Sequence, residues 1–218
     1  MIICHEHRFI YLKTRKTAST SMEIALRGFC GPRCVITRFS PADEVANHGL
    51  GHRGPQNDSW IDSNGKPTRL MNHCQAMRAR TVVGESVWKN YFKFTIERCP
   101  YEKAISEYYF ATRKSGAKIT LSDFLESSQT ATLSNWDIYT IDEKIAVDFV
   151  GRYENLDDEL QQIANLAGLK RPLVLPVYRA KGAFRLDPRG HREVMSFRDR
   201  EIIEKICAKE IEAFDFRW

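Results

Sequence analysis

The chain has 218 residues, 43% of them hydrophobic, which suits one substantial core and is short for two ordinary domains. Its 33 basic and 28 acidic residues leave +5, modest for a nucleic-acid binder and compatible with a small polyanionic ligand. No uncharged apolar run approaches the roughly 20 residues that span a bilayer, so a signal peptide or membrane anchor is not expected.

Residues 9–12 form a short apolar run ending at a polar loop, and residues 22–27 read as a helix closed by Gly28. Residues 34–39 have the β-branched content of a second strand, with Asp43 and Glu44 supplying acids for a short helix after Ser40-Pro41. Residues 47–69 are rich in Gly, Pro, Asn and His, a composition that predicts a long loop with no regular element.

Asn72 is the expected cap of a helix that runs to about residue 83, with Gly84 as its stop. A strand over 91–96 leads to Arg98, and Pro100 fits the first turn of a helix extending to about Arg113. Thr120 precedes a shorter helix, and 146–150 reads as a buried strand. Asn155 then caps a helix carrying Leu156, Leu160, Ile163 and Ala167 on one face, with Gly168 as its stop. Residues 170–192 are basic and loop-like, and Ser196 opens a final amphipathic helix.

Successive strand-to-helix units predict one α/β domain over residues 1–218, with a mainly parallel central β-sheet flanked by helices. Ligands of such sheets bind at the carboxyl ends of the strands. Arg15-Lys16-Thr17-Ala18-Ser19-Thr20-Ser21 falls at such an end, where unpaired N–H groups and a helix dipole favour an anion. An ordinary Ser/Thr-capped basic helix start is the plainer alternative. A nucleoside-triphosphatase loop is excluded, because GxxxxGK[ST] is missing.

Lys16 to Ser21 resembles the 5′-phosphosulfate loop of sulfotransferases, commonly PKTGGTS or PKTGTTS, with Arg15 in place of proline and Ala18-Ser19 in place of the small pair. Arg98-Cys99-Pro100, followed by Ser106 eight positions after the arginine, is similar to the family's second signature. Gly151-Arg152-Tyr153-Glu154-Asn155-Leu156 is similar to a third, GRYENL. The resemblance implies a P-loop-like fold and transfer of a sulfuryl group from 3′-phosphoadenosine 5′-phosphosulfate (PAPS) to a hydroxyl, with a saccharide or glycosylated small molecule as acceptor.

The resemblance also assigns roles. Residues 15–21 would hold the 5′ side of PAPS, Lys16 acting at the bridging oxygen; Arg98 and Ser106 would hold the 3′-phosphate, and Tyr153 would contact the adenine or else serve as a core aromatic. His73, placed like a histidine of carbohydrate sulfotransferases, would be the catalytic base, with His48 and His52 as alternatives. Arg179, Lys181, Gly182 and Arg185 would form a lid over the nucleotide, or merely a solvated basic surface. A nucleotide-dependent kinase and a non-catalytic nucleotide or polyanion binder are the competing readings.

The six cysteines form no regular disulfide framework, so a reducing, cytoplasmic setting is expected. Cys30 and Cys34, with Cys4, His5 and His7, could in principle compose a metal site. Their spacing matches no familiar zinc pattern, and no metal is expected.

Overall fold

The computed structural model describes residues 1–62, 64–116, 119–127, 130, 132–177, 185 and 187–218. Strands β1 (Ile2–Cys4) and β2 (Phe9–Tyr11) form a hairpin, helix α1 (Ser19–Arg27) follows, and β3 (Val35–Ile36) returns to pair with β1. Helix α2 (Pro41–Gly49) starts where its sequence favours a start: the Ser40 hydroxyl accepts from Asp43 N–H, Pro41 occupies the first turn, and Asp43 and Glu44 face the positive end of the dipole.

Strands β4 (Ser59–Ile61) and β5 (Pro67–Arg69) make a separate small antiparallel pair. The expectation of no regular element over 47–69 is therefore corrected. Asp62 organises the turn, its carboxylate accepting from Asn64 and Lys66 N–H groups, and that local bonding offsets the poor strand composition.

Helix α3 (Ala76–Asn90) has Gln75 at its cap position, not Asn72, whose side chain instead bonds Thr37. Gly84, at φ 77°, breaks α3 where a stop was expected, but a second helical stretch resumes after it. Strand β6 (Phe92–Glu97) then leads into α4 (Pro100–Ser115) and α5 (Leu121–Glu126), the latter closed by a reciprocal Thr120–Asp123 capping box. Next come α6 (Trp136–Tyr139), the short pair β7 (Thr140–Ile141) and β8 (Lys144–Ile145), and β9 (Phe149–Arg152), three residues later than the buried strand expected from 146. Helices α7 (Leu156–Leu166), α8 (His191–Val194), α9 (Phe197–Ile206) and α10 (Ala208–Phe214) complete the described chain. The single terminal helix expected after Ser196 is thus two, parted at Cys207.

The central sheet has the order β3-β1-β2-β6-β9. Strands β2, β6 and β9 pair in parallel, and only β1 runs against the common direction. Because helices cover both faces, its inner strands are apolar on both sides instead of alternating. Ile2, Cys4, Phe9, Tyr11, Phe94 and Ile96 pack with α1 and α7, while Ile3, Ile10 and Leu12 pack with α3 and α6. A third cluster joins α4, α5 and α9 through Tyr101, Ile105, Phe124 and Ile203. Each fully buried Leu, Ile or Phe in these layers contributes about 1.5–3 kcal/mol.

This arrangement puts the ends of β2 and β6 side by side. Thr14 Oγ1 donates to the Ile96 carbonyl at 2.5 Å and Thr95 Oγ1 to the Leu12 carbonyl at 2.7 Å, so the loops leaving the two strands start from one stapled point.

Candidate active site

The loop between β2 and α1 is bent by two residues in the left-handed region, Lys16 at φ 62° and Ala18 at φ 54°. Neither is glycine, and such a conformation costs an L-residue about 1–2 kcal/mol. The bend aims the start of α1 into a cavity of about 990 Å³ lined by residues 15–21. Helix α1 has no acidic residue in its first turn and no side-chain cap. Its orphan N–H groups and positive dipole end therefore suit an anion.

Within the loop the hydroxyls divide. Thr14 spends its proton on Ile96, so Thr17, 2.9 Å away, donates to Thr14 and pins the loop from inside. Ser19, Thr20 and Ser21 follow at the helix start and line the cavity. Lys16 Nζ stands 3.7 Å from Glu107 Oε2 and 4.3 Å from the centre of the Phe110 ring.

Arg98 enters the same cavity from the end of β6. Its Nη1 donates to the Lys16 carbonyl at 3.3 Å, its guanidinium carbon lies 4.3 Å over the Tyr153 ring, and its buried Nε has no hydrogen-bond partner among the described residues. A buried guanidinium N–H is costly to leave unmade, so this one marks a place for an acceptor. Ser106, two turns along α4, lines the cavity with it. Tyr153 thus has a supporting role, giving one ring face to Arg98. Its neighbour Glu154 accepts from Cys99 N–H at 2.8 Å, which fixes the turn that carries Arg98.

His73 lines the cavity opposite α4. Its Nδ1 lies 2.8 Å from the Lys13 carbonyl, which can only accept, so Nδ1 carries the proton and Nε2 keeps its lone pair. Burial, reinforced by the Lys13 and Arg15 cations, lowers the His73 pKa to about 4, so the ring is neutral at physiological pH. The alternatives lie elsewhere: His52 Nδ1 contacts the Ile24 carbonyl at 2.9 Å on the far side of α1, His48 is exposed on α2, and neither lines the cavity.

Residues 15–21, Arg98, Ser106 and Tyr153 therefore surround one cavity, with His73 beside them. The Sulfotransferase family model matches residues 1–217. The chain belongs to the sulfotransferase family. It is also similar to an uncharacterized protein of Archaeoglobus fulgidus, 29% identical over 102 residues that cover 45% of this chain and 85% of the relative. No solved structure matches it.

Two further residues shape this cavity by binding the main chain, where no sequence motif marks them. Asn135 Oδ1 accepts from Arg15 N–H at 2.9 Å and its Nδ2 donates to the Arg15 carbonyl at 3.2 Å, clamping the loop opposite Arg98. Glu97 Oε1 accepts from Asn135 Nδ2 at 3.2 Å, from Arg98 N–H at 2.8 Å and from buried Lys103 at 3.0 Å. One buried carboxylate thus orients both segments that line the cavity. Glu97 adjoins Arg98 in the sequence, but nothing there joined it to Asn135.

Of the expected lid, Arg179, Lys181 and Gly182 lie outside the described residues. Arg185 lines the cavity and its Nη1 donates to Glu102 at 2.5 Å. Among the described residues, no helix is long and apolar enough to cross a membrane.

Proposed function

We propose that this chain transfers the sulfuryl group of PAPS to a hydroxyl, that of a saccharide or glycosylated small molecule, as a single domain of P-loop-like architecture over residues 1–218. The observation that supports it most is the convergence of the left-handed loop, the unpartnered Arg98 Nε and the neutral His73 on one cavity. The six unbridged cysteines support a reducing, cytoplasmic setting.

PAPS, when bound, supplies the sulfuryl group on a phosphate leaving oxygen. Main-chain N–H groups of residues 17–21, with the hydroxyls of Ser19, Thr20 and Ser21, hold its 5′ side, and Arg98 with Ser106 holds the 3′-phosphate by charge-assisted bonds. Tyr153 would lie beside the adenine. Lys16 would turn from Glu107 to the bridging oxygen, where its point charge would stabilise the developing negative charge. His73 Nε2 accepts the proton of the acceptor hydroxyl while Nδ1–H stays on the Lys13 carbonyl. Nucleotide charge nearby would raise the proton affinity of His73, opposing the effect of its burial.

Sulfate transfer from PAPS, followed by mass spectrometry over a panel of glycans and glycosylated small molecules, tests this. Sulfated product is expected, with a loss of about 10²–10³-fold in Lys16→Ala. Phosphorylated product with a nucleoside triphosphate, or nucleotide binding with no transfer to any hydroxyl, would overturn it.

A further inference from the structure

We propose a second site, unrelated to the cavity: Cys4, Cys30 and Cys34 bind a structural zinc ion, with Glu6 as the fourth donor. The three thiol sulfurs lie within 4.8 Å of one another, at the end of the sheet opposite the cavity. Tetrahedral zinc with Zn–S bonds of about 2.3 Å spaces its sulfurs about 3.8 Å apart, so a contraction of roughly 1 Å closes the set.

The sequence separates these residues, which is why their spacing looked unpromising. Cys4 ends β1, whereas Cys30 and Cys34 flank the turn after α1, closed by Cys34 N–H to the Gly31 carbonyl at 3.2 Å. Three residues separate the latter pair, a gap that suits half of a structural zinc pattern, but no second such pair stands in the sequence to complete it. Gln56 Nε2 donates to the Gly31 and Cys34 carbonyls at 2.7 and 2.9 Å, and Arg53 Nε to the Cys30 carbonyl at 2.9 Å. The ligand loop is therefore held in place from outside.

An independent observation concerns the acid. Glu6 Oε2 is 2.6 Å from Cys34 Sγ, and a Cβ at Gly31 would stand 2.0 Å from Glu6 Oε1. The missing side chain at position 31 is what admits the carboxylate to Cys34, from which it would turn toward the other two sulfurs. A disulfide would use two of the three sulfurs and strand the third, whereas a thiophilic dication uses all three and the acid. Cys30 is half-buried and Glu6 exposed, which leaves an entry path, while Cys4 and Cys34 are buried.

Binding is a ligand exchange without redox chemistry. Zinc gains three Zn–S bonds and a carboxylate oxygen, and the three thiol protons leave to solvent. The ion would join the β1–β2 turn to the loop at the carboxyl end of α1, whose other end forms the anion loop.

The test is metal analysis of the full chain prepared with reductant, then cobalt(II) titration of the chelator-stripped chain. About one zinc per chain, thiolate-to-cobalt absorption and a melting temperature that rises with zinc are expected. Cys30→Ser and Cys34→Ser should each retain less than about a tenth of the metal, and Cys74→Ala should retain all of it. The half-buried Cys30 keeps the test usable if Cys34→Ser fails to fold, and the wild-type cobalt spectrum decides without any variant. No cobalt absorption by the folded wild type, unchanged binding in a folded Cys30→Ser, or a disulfide among these cysteines with reductant present would overturn the proposal.

Discussion

Arg98 Nη1 donates to the main-chain carbonyl of Lys16 at 3.3 Å, so the strand-end arginine of one motif helps to hold the loop of the other. Asn135 grips the same loop one residue earlier, through both polar groups of the Arg15 main chain. Asn135→Ala removes these two bonds, and the bond to Glu97, and leaves the loop to Arg98 and the Thr14–Thr17 contact. The expected result is a rise in KM for PAPS worth about 1–3 kcal/mol, with kcat less affected, read from initial rates.

His73 is neutral because burial and neighbouring cations depress its pKa to about 4. Turnover should vanish in His73→Asn while calorimetric binding of adenosine 3′,5′-bisphosphate persists. The sign for stability follows from linkage. The unfolded chain takes up a proton near pH 6.5 and the folded chain only near 4, so stability falls as pH drops through that window, by up to about 1.4 kcal/mol per unit. Denaturant midpoints of wild type and His73→Asn over this range should converge as the pH is lowered.

Glu23, wholly buried in α1, faces Lys13 Nζ at 3.0 Å and Arg27 Nη2 at 3.3 Å. Burial by itself pushes its carboxyl pKa up, but Lys13, the amino terminus and Arg27 together outweigh this and hold it below the usual range. That stabilisation is present above the ordinary carboxylate pKa and is lost as pH falls through the folded value. Glu23→Ala removes the buried carboxylate that Lys13 and Arg27 share, while Arg27 keeps Glu44, and should cost about 3 kcal/mol in urea unfolding.

Ala18 sits at φ 54°, where the related loops commonly carry glycine. Ala18→Gly should therefore raise stability by about 1 kcal/mol, seen as a higher denaturant midpoint, and leave nucleotide affinity unchanged.

Much of this site was legible in the sequence because its parts are local. Lys16 to Ser21, Arg98 with Ser106, and Tyr153 each lie where a strand gives way to a helix, and the parallel pairing of β2, β6 and β9 brings those junctions together. What escaped was long-range. Asn135 reaches Arg15 across 120 positions, and Cys4 meets Cys30 and Cys34 only after β1 and β3 pair. Asn72 misled for a related reason. Its composition suits a helix cap, but a hydrogen bond to Thr37 claims the side chain, and α3 starts at Ala76.

We propose that Arg98 reads the 3′-phosphate of the donor nucleotide. Calorimetric titration of wild type and Arg98→Ala with adenosine 3′,5′-bisphosphate and with adenosine 5′-phosphate tests it most directly. The wild type should prefer the bisphosphate by roughly 10- to 100-fold, and Arg98→Ala should lose most of that preference, with monophosphate binding weakened only through the lost bond to the Lys16 carbonyl. Equal wild-type affinities, or a preference that survives in Arg98→Ala, would contradict the account.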